Sequence, residues 1–218
     1  MNCETVFSIP VGGFEIGIKE STVVTWVIMA VVTLLCVILV RNLKVENPGK
    51  KQLLLESFVE FFNNLLEGMI GEHGKEYVPF LATVLIYIGI ANIIGIFGVK
   101  PPTKDLNVTG GLALMSIFLI EWAGFRKKGL AKWLKSFAEP IPIVLPINIL
   151  ELAIRPLSLC MRLFGNVLGA FVVMKLIEKV LPVGLPIPFS LYFDFFDGFI
   201  QAYVFVFLTS LFIKEAVE

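Results

Sequence analysis

The chain has 218 residues, of which 57% are hydrophobic and only 17% are charged, and its mean hydropathy is +0.87. Soluble domains carry about a quarter charged residues, so this composition excludes a soluble protein and indicates a chain that lies in a lipid bilayer. Eighteen basic and eighteen acidic residues cancel, which argues against a nucleic-acid-binding protein because such proteins need a basic surplus.

The cysteines give no sign of a metal or redox site. Cys3, Cys36 and Cys160 are odd in number and lack the spacing of such sites. We therefore interpret them as packing residues and expect neither a metal nor a cofactor. The first residues, MNCETVFSIP, lack a basic segment ahead of an apolar core, so we expect no cleaved signal peptide.

Residues 22–40 are uncharged and match the roughly 20 residues that a helix needs to cross about 30 Å of hydrocarbon. Ser21 is the predicted N-cap of this first span. Acidic residues dominate before it, and basic residues follow it at Arg41, Lys44, Lys50 and Lys51. By the positive-inside rule, the N-terminus is predicted to lie outside and this basic loop in the cytoplasm.

Residues 52–70 repeat apolar side chains at steps of three and four but carry too many acidic residues to span the membrane. We predict an amphipathic helix that lies along the cytoplasmic interface or against a partner subunit. The alternative is a surface helix packed on the core of its own chain.

Two further spans, residues 77–97 and 106–125, are predicted to form a helical hairpin. The connecting GVKPPTKD contains adjacent prolines, and Asp105 is placed to cap the second helix. The hairpin returns to a second basic loop, which agrees with the orientation of the first span.

The C-terminal third is predicted to contain two long, inclined, antiparallel helices. Residues 147–180 would make a helix of roughly 50 Å, which must tilt or bend at Pro156, and residues 189–216 are again longer than a perpendicular crossing. The predicted fold class is an all-α integral membrane protein. It comprises one membrane domain, residues 1–218, with about five transmembrane helices, one interfacial helix and a cytoplasmic C-terminus.

Each long helix carries polar residues at steps of three or four, which place them on one face. An ionisable group at this depth costs roughly 3 kcal/mol, so each face indicates an aqueous cavity, an ion route or a partner's charge. Polar contacts that join helices are an alternative that suits Ser158 and Asn166 individually. The first polar stripe consists of Asn148, Glu151, Arg155, Ser158, Arg162 and Asn166, and the second of Ser190, Asp194, Asp197 and Gln201.

Arg162 is the stripe residue without an acidic neighbour on its own helix. Glu151 precedes Arg155 by four residues, the favourable order for an ion pair, so those two can neutralise each other. Arg162 has no acid three or four residues away, and a guanidinium does not lose its proton in a protein. Its counter-ion is Asp194, Asp197 or an acid on another chain, and the sequence leaves this choice open.

Three segments resemble subunit a of the membrane sector of F-type rotary ATP synthases. They are RPLSLCMRLFGN (155–166), IQAYVFVFLTS (200–210) and PTKDLNVT (102–109). The resemblance implies that Arg162 is the family's essential arginine, that Gln201 is its partner glutamine, and that Asn166 is the asparagine of the motif. It places Asp194 where members carry His or Glu.

The chain departs from this pattern at two positions. Many bacterial members have an acid at the positions of Phe171 and Asn148. Glu151 and Asp197 are the nearest substitutes, and the remaining polar residues of the two stripes, including Ser190, belong to the same candidate ion path.

The resemblance implies a stator subunit in a bacterial plasma membrane, without a nucleotide site of its own. Its expected partners are a rotating ring of c subunits on the Arg162 face, the b subunit of the stator stalk, the rest of the complex, and lipid. Ions would pass through two offset aqueous half-channels separated by Arg162. The alternative is a self-contained secondary transporter, although such proteins usually contain inverted repeats and none is evident here. Whether H⁺ or Na⁺ is the coupling ion stays open.

Overall fold

The computed structural model describes residues 5–11, 14–41, 43–44, 49–97, 101–129, 133, 145–180 and 186–217. Short 3₁₀ turns at Glu72–Tyr77, Ile94–Phe97 and Pro102–Lys104 separate the helices. The α-helices are α1 (Glu20–Val40), α2 (Lys50–Ile70), α3 (Val78–Ile93), α4 (Leu106–Lys128), α5 (Leu145–Val180), α6 (Pro186–Ser190) and α7 (Gly198–Val217), and a π-helical segment, Leu191–Asp197, joins α6 to α7.

Five helices in the described residues are long and apolar enough to cross a membrane, which confirms the predicted class of helical membrane protein. They begin or end within a few residues of the predicted spans. The helix α5 continues through Pro156 as one α-helix and measures about 54 Å at 1.5 Å per residue. We call the end of the bundle where α1, α4 and α7 begin the outer end, and the opposite end the inner end.

The N-terminal residues form a β-hairpin that the sequence analysis did not predict. Strand β1 (Thr5–Val11) pairs antiparallel with β2 (Phe14–Lys19), and Val11 lies opposite Phe14. The helical class therefore holds for the membrane-spanning part, and a small two-stranded sheet precedes it.

The core of the described chain lies between α3, α4 and α7. The helix α7 packs mainly against α3 and α4, and α5 packs mainly against α4. The buried face of α4 carries small side chains at Thr109, Ala113, Ser116 and Ala123, which allow close helix approach in a membrane. In contrast, Ile28 is the buried residue of α1, so most of that helix is exposed on the outside of the bundle.

The helix α2 joins this core by its C-terminal half. Leu66 and Ile70 are buried, and Gly71 ends the helix with φ 76°, a left-handed conformation that favours glycine. Nearer its start, Leu54 and Phe61 are 72% and 61% exposed. This exposed apolar surface suits the predicted position at an interface or against a partner subunit.

At the outer end, Asp105 joins the start of α1 to the start of α4. Its carboxylate accepts hydrogen bonds from Ser21 Oγ (2.7 Å) and from the Asn107 N–H (3.0 Å), and Lys19 Nζ lies 3.6 Å away. The predicted N-cap role of Asp105 is confirmed. The predicted N-cap role of Ser21 is wrong, because α1 begins at Glu20 and the Ser21 hydroxyl serves Asp105 instead.

The charged form of Asp105 is stabilised by these neighbours. Burial acts to raise its pKa, but the hydrogen bonds from Ser21 and Asn107 and the charge of Lys19 outweigh burial and lower the pKa below its ordinary value of 3.8. A carboxyl group with a depressed pKa stabilises the folded state above its unfolded pKa, and this contribution is lost as the pH falls through the folded value.

We expect Asp105→Asn to lower thermal stability at neutral pH, with a difference from wild type that shrinks below about pH 4. The asparagine keeps the helix cap, so the change isolates the charge. Melting temperatures of the purified protein at both pH values measure this effect. A stability difference that is the same at both pH values would contradict the role given to the carboxylate.

The topology predicts that Gly17 and Lys127, both exposed, lie on opposite sides of the membrane. In a variant without native cysteines, Gly17→Cys should react with an impermeant thiol reagent from outside the cell. Lys127→Cys should react only after the membrane is opened. Labelling of both positions from the same side would exclude an outside N-terminus with five crossings.

Candidate ion path

The first polar stripe divides into two parts in the structure. Asn148, Glu151 and Arg155 lie near the inner end of α5 and line an open pocket together with α4 and α7. Further along α5, Ser158, Arg162 and Asn166 are exposed on the face that points away from the rest of the chain. Part of the stripe therefore lies in a crevice between helices, and the other part lies on an outward surface.

Arg162 lies near the middle of α5 on this outward face. Leu157 and Met161 beside it are 60% and 54% exposed, whereas Leu159 and Leu163 turn inward and are 1% exposed. Among the side chains that the structure describes, no carboxylate lies within ion-pair distance of the Arg162 guanidinium, and no hydrogen bond joins it to Gln201. Arg162 is thus an exposed cation on an apolar surface.

Arg155 is tied to its own chain. Its guanidinium bonds Glu151 at 2.8 Å and Glu215 of α7 at 3.0 Å, and it lies 4.9 Å from the centroid of the Phe212 ring. The ion pair expected from the spacing of Glu151 and Arg155 is present. Glu215 was missed because no local spacing connects residues 60 positions apart.

The pocket next to Arg155 has a volume of about 170 Å³. Glu121 of α4 lines it and accepts a hydrogen bond from Trp133 Nε1 at 3.1 Å. Three carboxylates, an arginine and a lysine contribute to the wall, so the pocket offers a polar opening at the inner ends of three spanning helices. The complete lining is Glu121, Lys128, Trp133, Asn148, Glu151, Leu152, Arg155, Glu215 and Ala216.

The second polar stripe does not lie on one regular α-helix. Asp194 and Asp197 belong to the π-helical segment, whereas Gln201 lies in α7. A π turn closes from residue i to i+5, so the three- and four-residue steps used in the sequence analysis do not apply through Leu191–Asp197. The regular α-helical geometry assumed for this stripe is therefore wrong over that segment.

Within that stripe, Gln201 is buried, and its side chain hydrogen-bonds the Asp197 carboxylate. Ser190 ends α6 and is half-buried. The side chain of Asp194 lies outside the described residues, so its proposed relation to Arg162 stays a prediction. The structure therefore joins Asp197 to Gln201, and among the described side chains no hydrogen bond or ion pair links either of them to Arg162.

Sequence reasoning missed a buried amide that contacts α7. Asn92 of α3 donates from Nδ2 to the Gly198 carbonyl at 3.0 Å, and its Oδ1 accepts from the Thr103 hydroxyl at 2.8 Å. Asn92 is 4% exposed and Thr103 is 0% exposed. The available signal was a lone asparagine inside an apolar span, which is costly unless both ends of its amide are satisfied.

Phe171, which stands where many bacterial members have an acid, lies beneath a lysine. The Lys104 ammonium is 3.5 Å from the ring centroid and that of Lys175 is 5.8 Å away. Lys175 also pairs with Glu178 at 2.7 Å. The outer part of α5 therefore carries cation–π contacts at the position of that acid.

Comparison with known proteins matches residues 22–214 to the family model described as ATP synthase A chain. The chain belongs to this family. It is 38% identical to ATP synthase subunit a of Moorella thermoacetica over 214 residues, covering 96% of this chain and 97% of that protein. It is also 36% identical to ATP synthase subunit a 2 of a Bradyrhizobium species, with coverage of 94% and 92%.

A third relative is named ATP synthase subunit a, sodium ion specific, from Propionigenium modestum. It is 32% identical over 221 residues, covering 94% of this chain and 75% of that protein. The resemblance found in the sequence is confirmed, and the chain is a multi-pass membrane subunit of a bacterial ATP synthase. Membership of the ATP synthase A chain family favours this role over a self-contained transporter.

We expect Arg155→Met to lower the free energy of unfolding by about 1 kcal/mol, because the 15% exposed guanidinium joins α5 to α7. Chemical or thermal unfolding of the detergent-solubilised protein measures this loss. Lys175→Met is the matched control on the same helix. It removes an exposed pair and should cost less than about 0.5 kcal/mol. Equal losses in the two variants would contradict the claim that Arg155 stabilises the contact between α5 and α7.

Proposed function

We propose that this subunit is the stator ion channel of the ATP synthase and that Arg162 acts on carboxylates of a rotating c-subunit ring. The observation that carries the proposal is the placement of Arg162 on the outward face of α5, with no ion-pair partner among the described side chains. A permanent charge on an apolar membrane surface is costly unless another charge approaches it. An acid on a neighbouring chain meets that requirement.

The chemistry follows from the fixed positive charge. A rotor carboxyl group that approaches Arg162 has its ionised form stabilised, so its pKa falls and it releases its ion. As rotation carries the carboxylate away from the guanidinium, its pKa rises and it takes up an ion from the other side. Because Arg162 itself does not release a proton at physiological pH, it separates the two sites of exchange.

Two groups of polar residues support two offset half-channels. At the inner end, the pocket lined by Asn148, Glu151 and Arg155 provides an opening for ions. At the outer end, Asp194, Asp197 and Gln201 are the proposed lining, with Ser190 at their start. Ser158 and Asn166 flank Arg162 on its exposed face, where they contact the rotor in this arrangement.

The remaining proposals concern assembly and orientation. The N-terminus lies outside and the C-terminus in the cytoplasm, so the inner pocket opens to the cytoplasm. The exposed apolar surfaces of α1 and of the start of α2 are available to the b subunit of the stator stalk and to lipid. We assign no nucleotide reaction to this subunit.

We expect Arg162→Ala to abolish coupled ATP synthesis while the amount of assembled complex stays near the wild-type level, because the side chain has no partner in the described part of its own chain. Arg162→Lys should fail as well, since a compact ammonium lacks the planar fork that binds a carboxylate through two bonds. ATP synthesis by membrane vesicles, normalised to assembled complex, measures both effects.

Lys175→Ala is the control for this experiment, because it removes a positive charge from an exposed pair elsewhere on α5. It should leave coupled synthesis largely intact. If Arg162→Lys retained near-normal ATP-driven pumping, the role proposed for the guanidinium would be wrong.

A further inference from the structure

The π-helical segment Leu191–Asp197 ends where a buried amide from α3 meets the backbone. Gly198 follows the segment directly, and its carbonyl accepts the hydrogen bond from Asn92 Nδ2 at 3.0 Å. π-helical turns are rare and are often found at functional sites. This one carries Asp194 and Asp197, two residues of the proposed outer half-channel.

The backbone approach at this point is unusually close. A Cβ atom placed on Gly198 would lie 2.8 Å from the Cβ of Asn92, a separation that real side chains do not tolerate. Glycine therefore allows α7 to come near enough to α3 for the amide to reach the carbonyl. The contact therefore requires both the amide of Asn92 and the absence of a side chain at Gly198.

The amide has only one orientation that satisfies all of its neighbours. Nδ2 donates to the Gly198 carbonyl, and Oδ1 accepts from the Thr103 hydroxyl at 2.8 Å. Reversing the amide would set Nδ2 against the hydroxyl and Oδ1 against a carbonyl that cannot donate. The Gly198 carbonyl, which can only accept, therefore fixes the direction of the amide. The Thr103 hydroxyl satisfies Oδ1 at the other end, and both side chains are buried.

The next turns of the chain connect this contact to the ion path. Asp197 immediately precedes Gly198, and its carboxylate is hydrogen-bonded by Gln201 one turn later. A change in the backbone at Gly198 would rotate Asp197 relative to Gln201, because the change from π to α geometry occurs between them.

We propose that Asn92 is a positioning residue of the ion path: it holds the end of the π-helical segment against α3 and thereby sets the direction of Asp197. Asn92 acts through the Gly198 backbone. This inference rests on the proposed function, because the outer half-channel is assigned there.

The test uses Asn92→Leu in the assembled ATP synthase, in a variant whose native cysteines are replaced by alanine. Asp197→Cys reports the direction of that side chain through its reaction rate with Ag⁺. We expect Asn92→Leu to change this rate by about tenfold and, when Asp197 is retained, to slow ion translocation by a similar factor, as small displacements in a functional site commonly do. The amount of assembled complex should stay near the wild-type level.

Two controls separate positioning from a general loss of structure. Glu215→Cys, at the far end of α7, should keep its Ag⁺ reaction rate when Asn92 is replaced. Asn64→Leu removes an exposed amide from α2 and should change neither the reaction at position 197 nor translocation.

If Asn92→Leu prevents assembly, Thr103→Val decides the question, because it removes the hydrogen bond that holds Asn92 Oδ1 but keeps the shape of the side chain. It should change the reaction rate at position 197 in the assembled complex. An unchanged rate in either assembled variant overturns the proposal. Coupled synthesis that survives Arg162→Ala would instead overturn the proposed function, while the reaction at position 197 would still report on the Asn92 contact.

Discussion

Arg162 carries a charge that physiological pH does not remove, and hydrocarbon provides no solvation for it. A buried arginine would satisfy itself with acids of its own chain, as Arg155 does with Glu151 and Glu215. Arg162 instead lies outward between exposed apolar residues. In the proposal, its counter-charge therefore comes from a second chain. In the proposal, an ion pair with a moving carboxylate is repeatedly formed and broken, which requires that no strong partner within the stator hold the cation.

The other polar groups of the described chain are satisfied mainly at the two ends of the helix bundle. At the outer end, Asp105 is bonded by Ser21 and Asn107, and Asn92 by Thr103. At the inner end, Arg155 and the glutamates around it line a pocket. Between these ends the bundle is held by apolar packing and small residues on α4. In the proposed path, the pocket at the inner end is the polar approach to Arg162 from that side.

The sequence predicted the elements that depend on local patterns. Five apolar runs of sufficient length predicted five spans, and the four-residue spacing of Glu151 and Arg155 predicted their ion pair, which the structure confirms. Contacts between distant parts of the chain were not predictable in this way. Neither the Arg155 contact with Glu215 nor the Asn92 contact with Gly198 leaves a local spacing, because each joins separate helices.

Two local signals were present but were overlooked or overridden. Residues 5–19 alternate apolar and polar side chains around Gly12 and Gly13, which is a hairpin signal that the strongly apolar composition obscured. In the last helix, a period of three to four residues was assumed across a segment that is π-helical. Hydrophobic periodicity does not distinguish an α turn from one π turn when aromatic residues surround both, so α-helical spacing was wrongly assumed for Leu191–Asp197.

Phe171 stands where many bacterial members of the family have an acid, and it lies close to two lysines. An acid at that position would lie beside Lys104 and Lys175, whereas the phenylalanine ring receives the Lys104 ammonium on its face. Two ammonium groups therefore lie over the Phe171 ring, and the acids of the proposed outer path come from the π-helical segment before α7. When the π-helical segment supplies the acid in place of α5, the direction of the carboxylate depends on the backbone of the π-helical segment. In the proposed path, the buried contact between Asn92 and Gly198 therefore matters more than it would if α5 supplied the acid.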